Sequence, residues 1–122
     1  MPGRFPLYID ADIRGQVVEG LKKNGWDLLR AVDVHPEKTA DPIHFKEAAD
    51  RGRVLVGYDV HQLRLAHKWL AEGRPFRGFI TWPQTHHQEW SDGEIVQAFE
   101  DLTAEEDPFP AAYPIRYLKP KR

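Results

Sequence analysis

Four aspartates, Asp10, Asp12, Asp41 and Asp59, stand where short apolar runs end or helical patterns begin. Several carboxylates in one crevice cannot all stay ionised without compensation. A like-charged pair ~4 Å apart costs about 4 kcal/mol at an effective dielectric near 20. Either one acid takes up a proton or a cation sits between them. The cation that suits oxygen donors is Mg²⁺ or Mn²⁺, held by one or two carboxylates and retained waters, with substrate phosphate completing the shell. Such an ion can activate water and stabilise charge on a phosphodiester in transit. The plainer account has Asp10 and Asp59 ending strands while Asp12 and Asp41 cap helices.

The elements that must position these acids follow from hydrophobic periodicity. Apolar runs over 7–11, 27–32, 54–58 and 78–82 have the size of buried strands. Between them, Ile13, Val17, Gly20 and Leu21 share a helical face, and Gly25 follows as a stop signal. Val60, Leu63, His67 and Leu70 repeat similarly before Gly73. Asp41-Pro42 opens another helix, with a cap residue and then proline at the first position, ending near Gly52. Ser91-Asp92-Gly93-Glu94 is a capping-box pattern, followed by the stripe Ile95, Val96, Phe99 and Leu102. A proline-rich connection over 107–114 leads to a short fifth strand over 115–118.

This alternation predicts an α/β fold: a mostly parallel sheet of four or five strands, order 2-1-3-4, with helices on both faces. Strands one and three are then neighbours at the topological switch point, where open sheets bind ligands. Asp10 and Asp59 should face each other across that crevice, with Asp41 leaning over the same edge.

Composition narrows the chemistry. The 122 residues, 41% hydrophobic and 30% charged, suit one domain over 1–122 with its core over 7–103. The absence of cysteine excludes a disulfide scaffold, a thiol nucleophile and a cysteine-ligated metal. A formal charge of −2 excludes a generally basic nucleic-acid binder, so any attraction to phosphate must be local. No secretory signal or membrane-spanning run is present, so a soluble, cytoplasmic protein with no membrane partner is expected.

The chain resembles the PIN-like family of small bacterial proteins known as DUF5615, related to toxin-type PIN nucleases. Leu7-Tyr8-Ile9-Asp10-Ala11-Asp12-Ile13, Thr39-Ala40-Asp41 and Gly52-Arg53-Val54-Leu55-Val56-Gly57-Tyr58-Asp59 carry the resemblance. The stretch Leu65-Ala66-His67-Lys68-Trp69-Leu70-Ala71-Glu72-Gly73-Arg74, leading to Gly78-Phe79-Ile80, extends it. The resemblance implies a three-layer PIN-like domain, an acidic Mg²⁺ or Mn²⁺ site, ribonuclease activity and an antitoxin partner. Asp10 and Asp59 would be direct metal ligands, while Asp12 and Asp41 hold or position water. Ala11 stands where the family usually has an acid, and Gln62-Leu63 where it usually has an Asp-Phe pair. Oligomeric state stays open, a homodimer included.

Two rivals belong to other classes. One is a PIN-like binding module whose catalytic site has decayed through the changes at Ala11 and Gln62. The other is a receiver-like phosphoacceptor domain, in which Asp10, Asp12, Asp59, Thr81 and Lys119 fall in the expected order and Asp59 is the carboxylate nucleophile. Asp59 runs straight into a helical pattern, which leaves little room for the loop such a domain needs.

Other residues have plainer readings. His61 and His67 lie on different faces of one helix and share no ligand set. His61 beside Asp59 could shuttle a proton, although a helix-start residue explains it. His86-His87 suit a polar, solvent-facing loop better than a zinc site. Trp82 and Trp90 bracket that loop and could stack a base, but burial is the default for each of the four tryptophans. Arg51, Arg53, Arg64, Lys68, Arg74 and Arg77 could guide an RNA backbone, or be scattered surface charge.

Overall fold

Alternating side chains on five short strands build two cores, one on each face of a single parallel sheet. The computed structural model describes residues 3–36 and 39–120. Lys121 and Arg122 lie outside the described residues. The strands are β1 (Leu7–Ile9), β2 (Leu28–Arg30), β3 (Val54–Val56), β4 (Phe79–Thr81) and β5 (Ile115–Tyr117). They pair in the order β2-β1-β3-β4-β5, parallel throughout. The expected 2-1-3-4 order is therefore present, and the short run after the prolines extends it.

Among the described residues, six helices surround the sheet: α1 (Gly15–Lys23), α2 (Ala31–Val34), α3 (Asp41–Asp50), α4 (Val60–Ala71), α5 (Gln84–Glu89) and α6 (Asp92–Leu102). Leu7, Ile9, Val54, Val56 and Ile80 point to one face and meet Val17 and Leu21 of α1 and Ile95 and Phe99 of α6. Tyr8, Leu55, Phe79 and Ile115 point to the other and meet Phe45 and Ala48 of α3 and Ala66 and Trp69 of α4. This is the period of two that a sheet covered on both faces requires. Burying each aliphatic side chain in these cores stabilises the fold by roughly 1.5–3 kcal/mol.

Local signals act as expected at several ends. Gly25 adopts φ 89°, which allows Trp26 N–H to reach the Leu21 carbonyl at 3.1 Å and close α1. Ser91 and Glu94 form the reciprocal capping box of α6. The strands are shorter than the apolar runs that announce them, each covering three residues. The second run is cut at Ala31, where the chain turns into α2. Among the described residues, no helix is long and apolar enough to cross a membrane.

Candidate functional site

Because every strand runs the same way, all carboxyl ends emerge at one edge. Alternation then decides which face each acid joins. Asp10 lies two residues after Tyr8 and falls on the α3–α4 side, only 9% exposed. A cavity of about 170 Å³ opens there, lined by Asp10, Asp12, His35, Thr39, Asp41 and His44 among others. Burial raises the Asp10 carboxyl above its ordinary range, and the charges of Asp12 and Asp41 raise it further. The backbone N–H of Asp12, donating to Asp10 Oδ2 at 3.4 Å, pulls the other way. Asp41 is also raised, by burial first and then by Asp59, while His44 and His61 oppose the shift.

A larger cavity of about 510 Å³ lies beside the ends of β3 and β4, lined by Asp12, Asp59, His61, Thr81, Trp82 and Tyr117 among others. Asp10 and Asp59 therefore line different cavities, and Asp12 borders both. The register supplies the reason. Ile9 pairs with Val56, and Asp10 N–H donates to the Val56 carbonyl at 3.0 Å. Asp10 thus sits level with Gly57, two residues short of Asp59. Asp59 is instead the N-cap of α4, its Oδ1 accepting from His61 N–H at 2.8 Å.

The capping expectation fails for the other two acids. Ala40 precedes α3, and Asp41 is its first helical residue, with no side-chain cap hydrogen bond. Arg14 precedes α1, so Asp12 caps nothing and sits exposed in the turn after β1. The Asp12 carbonyl accepts from the Tyr58 hydroxyl at 3.1 Å.

Several residues at this edge carry no local sequence signal. His44 is buried, hydrogen-bonded through Nδ1 to the Tyr8 hydroxyl at 2.9 Å, and edge-on to His35. Burial pushes Tyr8 up to about 12, so its hydroxyl keeps its proton. The i, i+3 step from Asp41 to His44 on one helix was the only available hint. The His86-His87 pair corrects the expectation of a solvent-facing loop: it lies on α5, and His87 is buried against Tyr58 and Trp82. All four tryptophans are buried, as the default has it.

Hard oxygen donors at this edge suit a water-rich Mg²⁺ or Mn²⁺ that takes one or two carboxylates directly. They do not suit a closed cage, since no three His, Asp or Glu groups among the described residues converge enough to hold a metal ion. The receiver-like set is also incomplete here. Asp12, Asp59 and Thr81 border the larger cavity, whereas Lys119 does not line it. No protein-family model, curated protein or solved structure matches the chain.

Proposed function

We propose that the chain is a Mg²⁺- or Mn²⁺-dependent ribonuclease of the PIN-like type its motifs resemble, acting in the cytoplasm as the toxin of a toxin–antitoxin pair. The observation that carries this reading is electrostatic. Asp10 and Asp41 are both held above their ordinary proton affinity by burial and by neighbouring carboxylates at one strand edge. A cation would relieve that repulsion, neutralise the acids and polarise a phosphodiester.

The chain's own residues supply the rest. Asp10 would be a direct oxygen ligand, and Asp59, the N-cap of α4 beside the neighbouring cavity, would reach the ion through water. Asp12, bordering both cavities, and Asp41, on the first turn of α3, orient water between them. The Tyr8 hydroxyl fixes the His44 ring, which opposes the rise in proton affinity of both Asp10 and Asp41.

A second reading, a binding module without catalysis, is favoured by one feature. Gln62 is fully buried, and neither atom of its amide has a hydrogen-bond partner among the described residues. It adds no charge to hold a cation. Calorimetric titration with Mn²⁺, alongside RNA cleavage by wild type and Asp10→Asn, separates the two. The nuclease reading expects Mn²⁺ binding and cleavage that Asp10→Asn abolishes. No Mn²⁺ binding, together with RNA activity untouched by the substitution, would overturn it.

A further inference from the structure

Much of the wall of the 510 Å³ cavity takes no part in the proposed catalysis. Asp12 and Asp59 bring two carboxylates to it, and among the described residues neither is in an ion pair. No lysine or arginine stands in the lining, and His61 is its one basic group. The field there is negative. Burial raises the Tyr58 hydroxyl, and the charges of Asp12, Asp10 and Asp59 raise it further, against Arg14 alone. Arg14 is itself paired with Asp92.

A buried polar group points to a ligand. Thr81, at the end of β4, is 4% exposed. Its hydroxyl has no hydrogen-bond partner among the described residues, yet it is not sealed in, so it opens on the cavity that Thr81 lines. Buried polar groups normally find partners, and here a donor inside the cavity would supply one. Tyr117, 46% exposed, also lines the cavity, and the hydrogen bond of its hydroxyl to Tyr113 holds the ring there. Val60, Leu63 and Pro83 complete the lining with apolar surface.

Two carboxylates, a hydroxyl acceptor, a tyrosine ring and an aliphatic wall match a cation with a hydrocarbon body. We propose that this cavity binds a short aliphatic diamine, its ammonium groups at Asp12 and Asp59, one of them donating to the Thr81 hydroxyl, and its methylene chain against Val60, Leu63 and Tyr117. Two ammonium groups balance the two carboxylates, whereas a phosphate or carboxylate ligand would be repelled. A hydrated Mg²⁺ prefers oxygen on every side, which the apolar wall does not offer. A flat base finds no stacking face on Trp82, which is 1% exposed. The proposal does not rest on the ribonuclease reading.

Calorimetric titration of the full chain with putrescine, a four-carbon diamine, in metal-free buffer of low salt tests this. Putrescine should bind, butylamine should bind about five-fold more weakly for want of the second ammonium, and butanediol should not bind. Asp59→Asn keeps a side-chain oxygen to cap α4 and should weaken putrescine about ten-fold. Thr81→Val, of the same shape, should weaken it about five-fold. Tyr117→Leu should weaken it about three-fold, and Tyr117→Phe should leave it unchanged. Circular dichroism checks that the variants fold. No putrescine binding by calorimetry or equilibrium dialysis would overturn the proposal, as would butanediol binding equally well. Wild-type affinity in both Asp59→Asn and Thr81→Val would also overturn it. Tighter binding of acetyl-arginine amide than of putrescine would overturn the diamine and assign the cavity to a basic protein side chain. Because the buffer holds no metal, the result is the same whether or not the chain cleaves RNA.

Discussion

The side-chain amide of Gln62 fills the space that Gly57 leaves by lacking a side chain: a Cβ at Gly57 would lie 2.1 Å from Gln62 Oε1. The helix α4 can approach the end of β3 because of this pairing of a glycine with a buried amide. The amide is 0% exposed and makes no hydrogen bond. An unsatisfied buried polar group costs roughly 1–3 kcal/mol. Gln62→Met, of similar volume, should therefore stabilise the protein by about 1 kcal/mol. Gly57→Ala should destabilise it by about 1–3 kcal/mol through overpacking. Urea unfolding midpoints measure both, and a less stable Gln62→Met would show that the amide has a partner.

Asp10 makes stability fall as pH rises. Its carboxyl is raised above the ordinary 3.8 by burial and by Asp12 and Asp41, so the folded state keeps a proton that the unfolded chain has already lost. Stability therefore declines as pH climbs from about 3.8 through the raised folded value, and the deficit persists at neutral pH. Asp10→Asn should be more stable than wild type at neutral pH and lose that advantage under acid. Denaturant unfolding at the two pH values checks it. An equal or larger advantage in acid would contradict the assignment.

His87 acts in the opposite sense. Burial and the charge of Arg14 hold its ring below the ordinary 6.5, so it stays neutral in the fold after the unfolded chain has taken up a proton. Stability is then lost as pH falls from 6.5 toward the lowered folded value. His87→Gln should flatten this part of the stability profile. Thermal melts between mildly acidic and neutral pH read the slope in both proteins.

Arg14 ties the turn after β1 to the helices beyond β4. Its guanidinium pairs with Asp92 at 2.7 Å and donates to the Trp90 carbonyl at 3.0 Å and to the His87 carbonyl. Its backbone N–H donates to His87 Nε2 at 3.3 Å. The pair with Asp92 is partly exposed and contributes little by itself. The hydrogen bonds to two carbonyls contribute more, and Arg14→Ala should cost about 2 kcal/mol. Amide hydrogen exchange should rise in α5 first, since these carbonyls anchor that six-residue helix. Exchange unchanged in α5 would contradict this role.

Local patterns in the sequence were enough to locate the strands, the short one after the prolines included, the capping box at Ser91 and the parallel order around β1 and β3. Those features depend on neighbours a few residues away: alternation on strands, a cap three residues from its partner, and crossovers of one hand. It also marked Asp10, Asp12, Asp41 and Asp59 as acids of one sheet edge. What it could not contain was their grouping. Register sets Asp10 level with Gly57 while Asp59 closes the first turn of α4, so the acids divide between two cavities. The contacts of Tyr8 with His44, Gln62 with Gly57 and His87 with Arg14 join residues on separate elements. No local pattern encodes these contacts, because each exists only once helices have packed against a particular face of the sheet.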